Sequence, residues 1–178
     1  FKGILEMATG TGKTITAICA IVKVLKLCKV KGLSCGLVIV VPYKSLLEQW
    51  VENLKEFNID PIMCYENKEL WYSKLNNKIN LFNSNINKNL FIITTNSTFN
   101  GNDFQNLLCK IDKDYILCID EMHHVATKKY ISNLPNNCNL RLGLSATLQS
   151  EYNKENMDKA KFYFGNVIYN FSMERAIE

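Results

Sequence analysis

Gly3-Ile4-Leu5-Glu6-Met7-Ala8-Thr9-Gly10-Thr11-Gly12-Lys13-Thr14 is the stretch on which the fold turns. Residues 1–6 read as a strand, the Gly/Thr stretch as a loop, and Lys13 to about Lys29 as a helix. Gly10 and Gly12 let the backbone approach an anion closely and turn successive N–H groups toward it. The helix adds unpaired amides and the positive end of its dipole. Lys13 offers a point charge to the β- and γ-phosphates of a nucleotide, and the Thr14 hydroxyl a ligand to Mg²⁺. Ala8, Thr9, Gly10, Thr11, Gly12, Lys13 and Thr14 are therefore the candidate phosphate-binding residues. The general pattern has Gly six residues before its Lys, where this chain has Met7. A Gly-rich turn before a helix is the plainer alternative, and the order strand, loop, Gly-Lys-Thr, helix argues against it.

Downstream, the apolar run Tyr115–Ile119 leads straight into Asp120-Glu121-Met122-His123. A strand ending in Asp is the second half of a nucleotide site. Asp120 suits Mg²⁺, and Glu121, pointing elsewhere, suits polarisation of an attacking water. One carboxylate for metal and one for base is what hydrolysis of a nucleoside triphosphate needs. Taken alone the pair could equally be a surface turn with two acids. His123 reads as a polar link from this site to the next motif, and His124 as a structural residue.

Between these landmarks, short runs apolar on both faces (Leu37–Val41, Leu90–Thr95, Tyr115–Ile119, Asn139–Leu144) alternate with helical stretches at Lys44 to about Phe57, Glu69 to about Phe82 and Phe104–Ile111. Pro61–Tyr65 reads as a weak strand. The pattern predicts an α/β fold, a mostly parallel sheet with helices on both faces, which binds ligands beyond the carboxyl ends of its strands. Trp50, spaced with Leu46, Leu47 and Leu54, reads as core. Asn makes up half of residues 76–89, which read as a loose surface loop. Gln149–Lys161 reads as a polar connector, and Phe162–Phe171 as a last strand or packed segment.

The 178 residues, 47% hydrophobic and 21% charged, have the composition of one ordinary globular domain. A net charge of +4, from 21 Lys+Arg against 17 Asp+Glu, does not by itself imply nucleic-acid binding and does not oppose it. No segment approaches the ~20 apolar residues of a membrane helix, so no membrane partner is expected. The seven cysteines include no C-x-x-C pair and read as reduced, buried thiols of an intracellular, cytoplasmic protein. The acceptor patterns Asn96-Ser97-Thr98 and Asn170-Phe171-Ser172 are then chance matches. With Phe1 where Met would stand, the chain reads as a fragment.

The ordered motifs resemble the first motor domain of superfamily 2 DEAD/DEAH-type helicases and translocases. Ala8–Thr14 looks like motif I, and Val40-Val41-Pro42 with Leu46, Gln49 and Trp50 like motif Ia. Thr94-Thr95 to Phe99 looks like motif Ib, Asp120–His123 like the D-E-x-H motif II, and Ser145-Ala146-Thr147 like motif III. Leu-Leu-Glu-Gln-Trp, Arg-Leu-Gly-Leu-Ser-Ala-Thr and the tail Tyr163–Tyr169 are most similar to helicase subunits of type III restriction enzymes and related defence helicases.

The resemblance implies a RecA-like P-loop NTPase domain over residues 1–148, with 149–178 leading toward a second RecA-like domain outside this chain. That domain would close the ATP cleft and carry an arginine finger. It implies ATP and Mg²⁺ as cofactors, with Lys13, Asp120 and Glu121 catalytic and Thr14 and Asp120 on the metal. His123, Ser145 and Thr147 would couple the nucleotide site to nucleic acid, expected to be DNA. Pro42, Lys44, Ser45, Thr95 and Thr98 would meet its backbone, through contacts that carry no sequence information. Two other readings stay open: a P-loop NTPase acting as a small-molecule kinase, and a nucleic-acid sensor that does not translocate.

Overall fold

The computed structural model describes residues 1–125, 127–136, 138–146 and 154–171. Seven strands, β1 (Lys2–Met7), β2 (Cys35–Val41), β3 (Ile62–Cys64), β4 (Asn89–Thr95), β5 (Tyr115–Ile119), β6 (Leu140–Ser145) and β7 (Val167–Phe171), form one sheet in the order β3-β4-β2-β5-β6-β1-β7. Every neighbouring pair is parallel. The helices are α1 (Lys13–Val30), α2 (Lys44–Lys55), α3 (Lys68–Asn83), α4 (Asn96–Phe99), α5 (Asn102–Leu108), α6 (Lys128–Ser132) and α7 (Lys154–Phe164), with a 3-10 turn at Met122–Val125.

All seven residues of β2 and all five of β5 are buried. Alternation splits β2 between two cores: Val38 and Val40 face one, Leu37, Ile39 and Val41 the other. The first core takes Trp71, Leu75, Ile79 and Phe82 from α3, with Phe104 and Phe164. The second takes Ala17, Ile18 and Ile21 from α1, and Leu47, Trp50, Val51 and Leu54 from α2. The α/β expectation with helices on both faces is met.

Three readings are corrected. The loop reading of 76–89 gives way over 76–83 to the helix read from Glu69 to about Phe82, because Leu75, Ile79 and Phe82 keep one buried stripe of α3. The polar stretch expected as a connector holds α7, anchored by Met157, Ala160 and Phe164, whereas the last strand expected within Phe162–Phe171 is present as β7, paired with β1. Of the seven cysteines, Cys35, Cys64, Cys118 and Cys138 are buried, whereas Cys19 and Cys109 are exposed and Cys28 is half-buried. No helix among the described residues is long and apolar enough to cross a membrane.

The order of the strands positions the motifs. Register aligns Glu6 with Ser145, Ile119 with Gly143, and Val40 with Ile119. The ends of β1, β2, β5 and β6 therefore reach one edge of the sheet. Val41 aligns with Thr95, which brings the ends of β2 and β4 together there as well.

Candidate nucleotide and metal site

The loop after β1 is tied by its own backbone: Thr11 donates to the Ala8 carbonyl through N–H (3.3 Å) and hydroxyl (2.7 Å). Gly10 and Gly12 both lie in the left-handed region, φ 81° and 82°, where a side chain would be strained. Gly12 caps α1 without a side-chain bond, and no acidic residue occupies the first turn. The positive end of α1 thus faces a cavity of about 370 Å³, lined by Ala8, Thr9, Gly10, Gly12, Lys13, Thr14, Ile15, Leu46, Gln49, Asn53, Asp120 and Glu121. Of the seven expected loop residues, Thr11 alone is spent on closing the loop rather than lining the cavity.

Lys13 is buried, 8% exposed, and its Nζ lies 2.7 Å from Glu121 Oε1 and 3.8 Å from Asp120 Oδ1. The Asp120 N–H continues the parallel ladder to the Val40 carbonyl (2.9 Å). Glu121 then takes φ 48°, which turns the chain sharply after β5 and separates the two carboxylates. The Asp120 carboxylate accepts the Glu121 N–H on Oδ1 (2.8 Å) and the Trp50 indole N–H on Oδ2 (2.8 Å). Burial pushes its carboxyl above the ordinary value; the Trp50 N–H and the Lys13 charge pull the other way. His123 Nδ1 sits 3.4 Å from Glu121 Oε2, out of line for a hydrogen bond, and burial followed by the His124 charge pulls its imidazole down. The His123 and His124 rings lie 4.3 Å apart.

The donor set fits Mg²⁺. Each Asp120 oxygen keeps a lone pair after its one bond, and Thr14 adds a hydroxyl to the same cavity. No cluster of three or more His, Cys, Asp or Glu that could hold a metal occurs among the described residues.

The other expected site residues fall as follows. Ser145 is buried at the end of β6, opposite Glu6, and Thr147 lies outside the described residues. Pro42 is half-buried and Lys44 and Ser45 exposed, where β2 passes into α2. Lys44 pairs with Glu66 (3.3 Å) and sits over the Tyr65 ring. Thr95 caps α4, with its hydroxyl bonded to Ser97 Oγ (3.0 Å) and Thr98 Oγ1 (3.3 Å), so both threonine hydroxyls already have partners. Arg141 is at the far end of β6, its guanidinium donating to the Cys138, Tyr163 and Asn136 carbonyls.

Sequence reasoning missed three contributions. Gln49 and Asn53 of α2 line the cavity. Gly143 leaves room for Met122, which follows the two acids: a Cβ there would stand 2.6 Å from its Sδ. Trp50 is not only core but bonded to Asp120. The available signal was that a buried indole N–H usually finds an acceptor.

A family model, that of the type III restriction enzyme res subunit, matches residues 1–150. No match was found among curated proteins. Among solved structures, a nuclease-deletion mutant of the Type ISP restriction-modification enzyme LlaGI, in complex with a DNA substrate mimic, is similar over 99% of this chain and 18% of its own, with TM-score 0.69 and 18% identity. The Pyrococcus furiosus Hef helicase domain is similar over 96% of this chain and 35% of its own, with TM-score 0.63 and 16% identity. The chain thus spans about a fifth to a third of the proteins it superposes on.

Proposed function

Because this chain belongs to the type III restriction enzyme res subunit family, as a helicase-type motor domain, we propose that it binds and hydrolyses Mg-ATP and drives movement on DNA. The observation that carries the reading is the convergence of Lys13 with Glu121 (2.7 Å) and Asp120 (3.8 Å) at the mouth of the phosphate loop. A loop of N–H donors, a buried cation and two differently held carboxylates together make a phosphoryl-transfer site.

The protein's groups divide the work. The loop amides and the start of α1 bind phosphate. Lys13, now paired with Glu121, exchanges that partner for phosphate oxygens when nucleotide enters, and this releases Glu121 to accept a proton from water. Thr14 and Asp120 would hold Mg²⁺, which supplies charge neutralisation of the phosphate oxygens. His123, beside Glu121, and Ser145, at the end of the neighbouring β6, are placed to relay the state of the site. The surface where β2 and β4 end, with Pro42, Lys44, Ser45, Thr95 and Thr98, is the side for the DNA backbone. Lys44 would leave Glu66 for a phosphate there. The rest of the cleft, with its arginine finger, belongs to a second RecA-like domain.

Phosphate release from ATP, with and without duplex DNA, tests the reading in a protein carrying both motor domains. Stimulation by DNA supports it. Transfer of the γ-phosphoryl group to a small acceptor, indifferent to DNA, would favour a kinase instead.

A further inference from the structure

We propose that Trp50 is the positioning residue of the metal-side carboxylate: its indole N–H fixes Asp120 so that the free lone pairs stay turned toward the cation. The proposal rests on the Mg-ATP reading above. Trp50 has no exposed surface, and its single donor reaches Asp120 Oδ2 at 2.8 Å from an element 70 residues away in sequence. The terminal torsion of an aspartate is broad, so one donor leaves the carboxylate free to swing. Here two donors act on two different oxygens, the Glu121 N–H on Oδ1 and the indole on Oδ2. Together they set the plane of the group and leave one lone pair on each oxygen.

Burial alone does not account for the contact. The other tryptophan, Trp71, is also buried, 4% exposed, and its Nε1 has no partner among the described residues. The indole of Trp50 is held in the second core with Leu47, Val51 and Leu54 of the same helix, while its N–H reaches out to a carboxylate that lies 3.8 Å from Lys13 Nζ. A charge-assisted bond in such a setting is among the stronger ones available to a side chain. Partners of metal-ligating carboxylates commonly change metal affinity about 10- to 100-fold when removed.

The test uses the full chain and a non-hydrolysable ATP analogue, titrated by calorimetry in EDTA and over a range of Mg²⁺. Trp50→Phe keeps the packing and deletes the donor. The expected result is unchanged affinity for metal-free analogue and a Mg²⁺ requirement raised about tenfold or more. A role in packing alone would lower metal-free and metal-dependent affinity together, or leave both intact, and either result overturns the proposal while the Mg-ATP reading stands. No binding by the wild type would overturn both. A second measurement leaves Trp50 untouched: in a Trp71→Phe background its emission is the only indole signal. That emission should change when Mg²⁺ is added with analogue and stay constant with analogue in EDTA. An emission indifferent to Mg²⁺ overturns the proposal even if Trp50→Phe does not fold.

Discussion

Lys13 Nζ lies 2.7 Å from Glu121 Oε1, so the cation of the phosphate loop and the candidate base neutralise each other across 108 positions of sequence. Lys13→Ala removes the charge that phosphates would otherwise recruit. Affinity for Mg-ATP should fall roughly 10- to 100-fold, the range expected for lost charge-assisted bonds. Calorimetry giving equal affinities would remove Lys13 from the site.

Glu121→Gln keeps the shape of the side chain and loses its proton-accepting charge. Nucleotide binding should stay near normal while turnover falls by roughly 10²–10⁴. The measurement pairs calorimetry with phosphate release in a protein carrying both motor domains. Undiminished turnover would reassign the base.

Residues 1–178 alone should bind nucleotide yet hydrolyse it only slowly, with no stimulation by DNA. Arg141 is committed to three carbonyls at the opposite end of β6, so it cannot serve as a finger. A finger is worth about 10³–10⁵ in rate in related enzymes. Phosphate release by this chain with and without DNA decides the matter, and robust stimulated turnover would contradict the two-domain mechanism.

Gly36→Ala tests the packing of the sheet. A Cβ there would meet Tyr115 Cβ at 2.9 Å and the Leu90 carbonyl at 3.4 Å, both atoms close to or on rigid backbone. Denaturant unfolding should show a loss of about 1–3 kcal/mol, the usual range for overpacking. An unchanged midpoint would mean that β4, β2 and β5 separate more readily than their register implies.

Thiol chemistry should sort the cysteines by burial. Desolvation pushes Cys35 and Cys64 up to about 12 and raises Cys118 and Cys138 as well. At pH 8 these four hold almost no thiolate, so alkylation should reach Cys19 and Cys109 first and the buried four only in denaturant. Peptide mass spectrometry after timed iodoacetamide treatment reads this directly.

What the sequence made legible was governed by local rules. The phosphate loop, the acids after β5 and the two-faced apolar strands each carry their reason within a few residues. The helix Lys154–Phe164 escaped because only Met157, Ala160 and Phe164 of its residues are buried, too sparse a stripe to stand out. In the Asn-rich stretch, the spacing of Leu75, Ile79 and Phe82 carried the helix to about Phe82 even though composition suggested a loop from 76 onward. That Thr95 caps α4 and bonds Thr98 was not legible, because a hydroxyl after a strand looks the same with or without a cap to make. For Trp50, helical spacing identified the buried face correctly, but the acceptor of its N–H lies on another element and follows only from the strand order.

That strand order also sets a timetable. β1 pairs with β6 and β7 and with none of the strands between, as Lys2 opposite Arg141 and Ile4 opposite Val167 show. A chain leaving the ribosome can join β2, β3, β4 and β5 into a four-stranded platform while β1 still lacks β6 and β7. Such distant parallel pairings close slowly, because loop entropy must be overcome before any contact is gained. The segment that holds the phosphate loop is thus synthesised well before the strands that flank it and is among the last to be seated. A nascent chain stopped before β6 would present an open, hydrogen-bonding edge at β5, which ribosome-associated chaperones would have to cover.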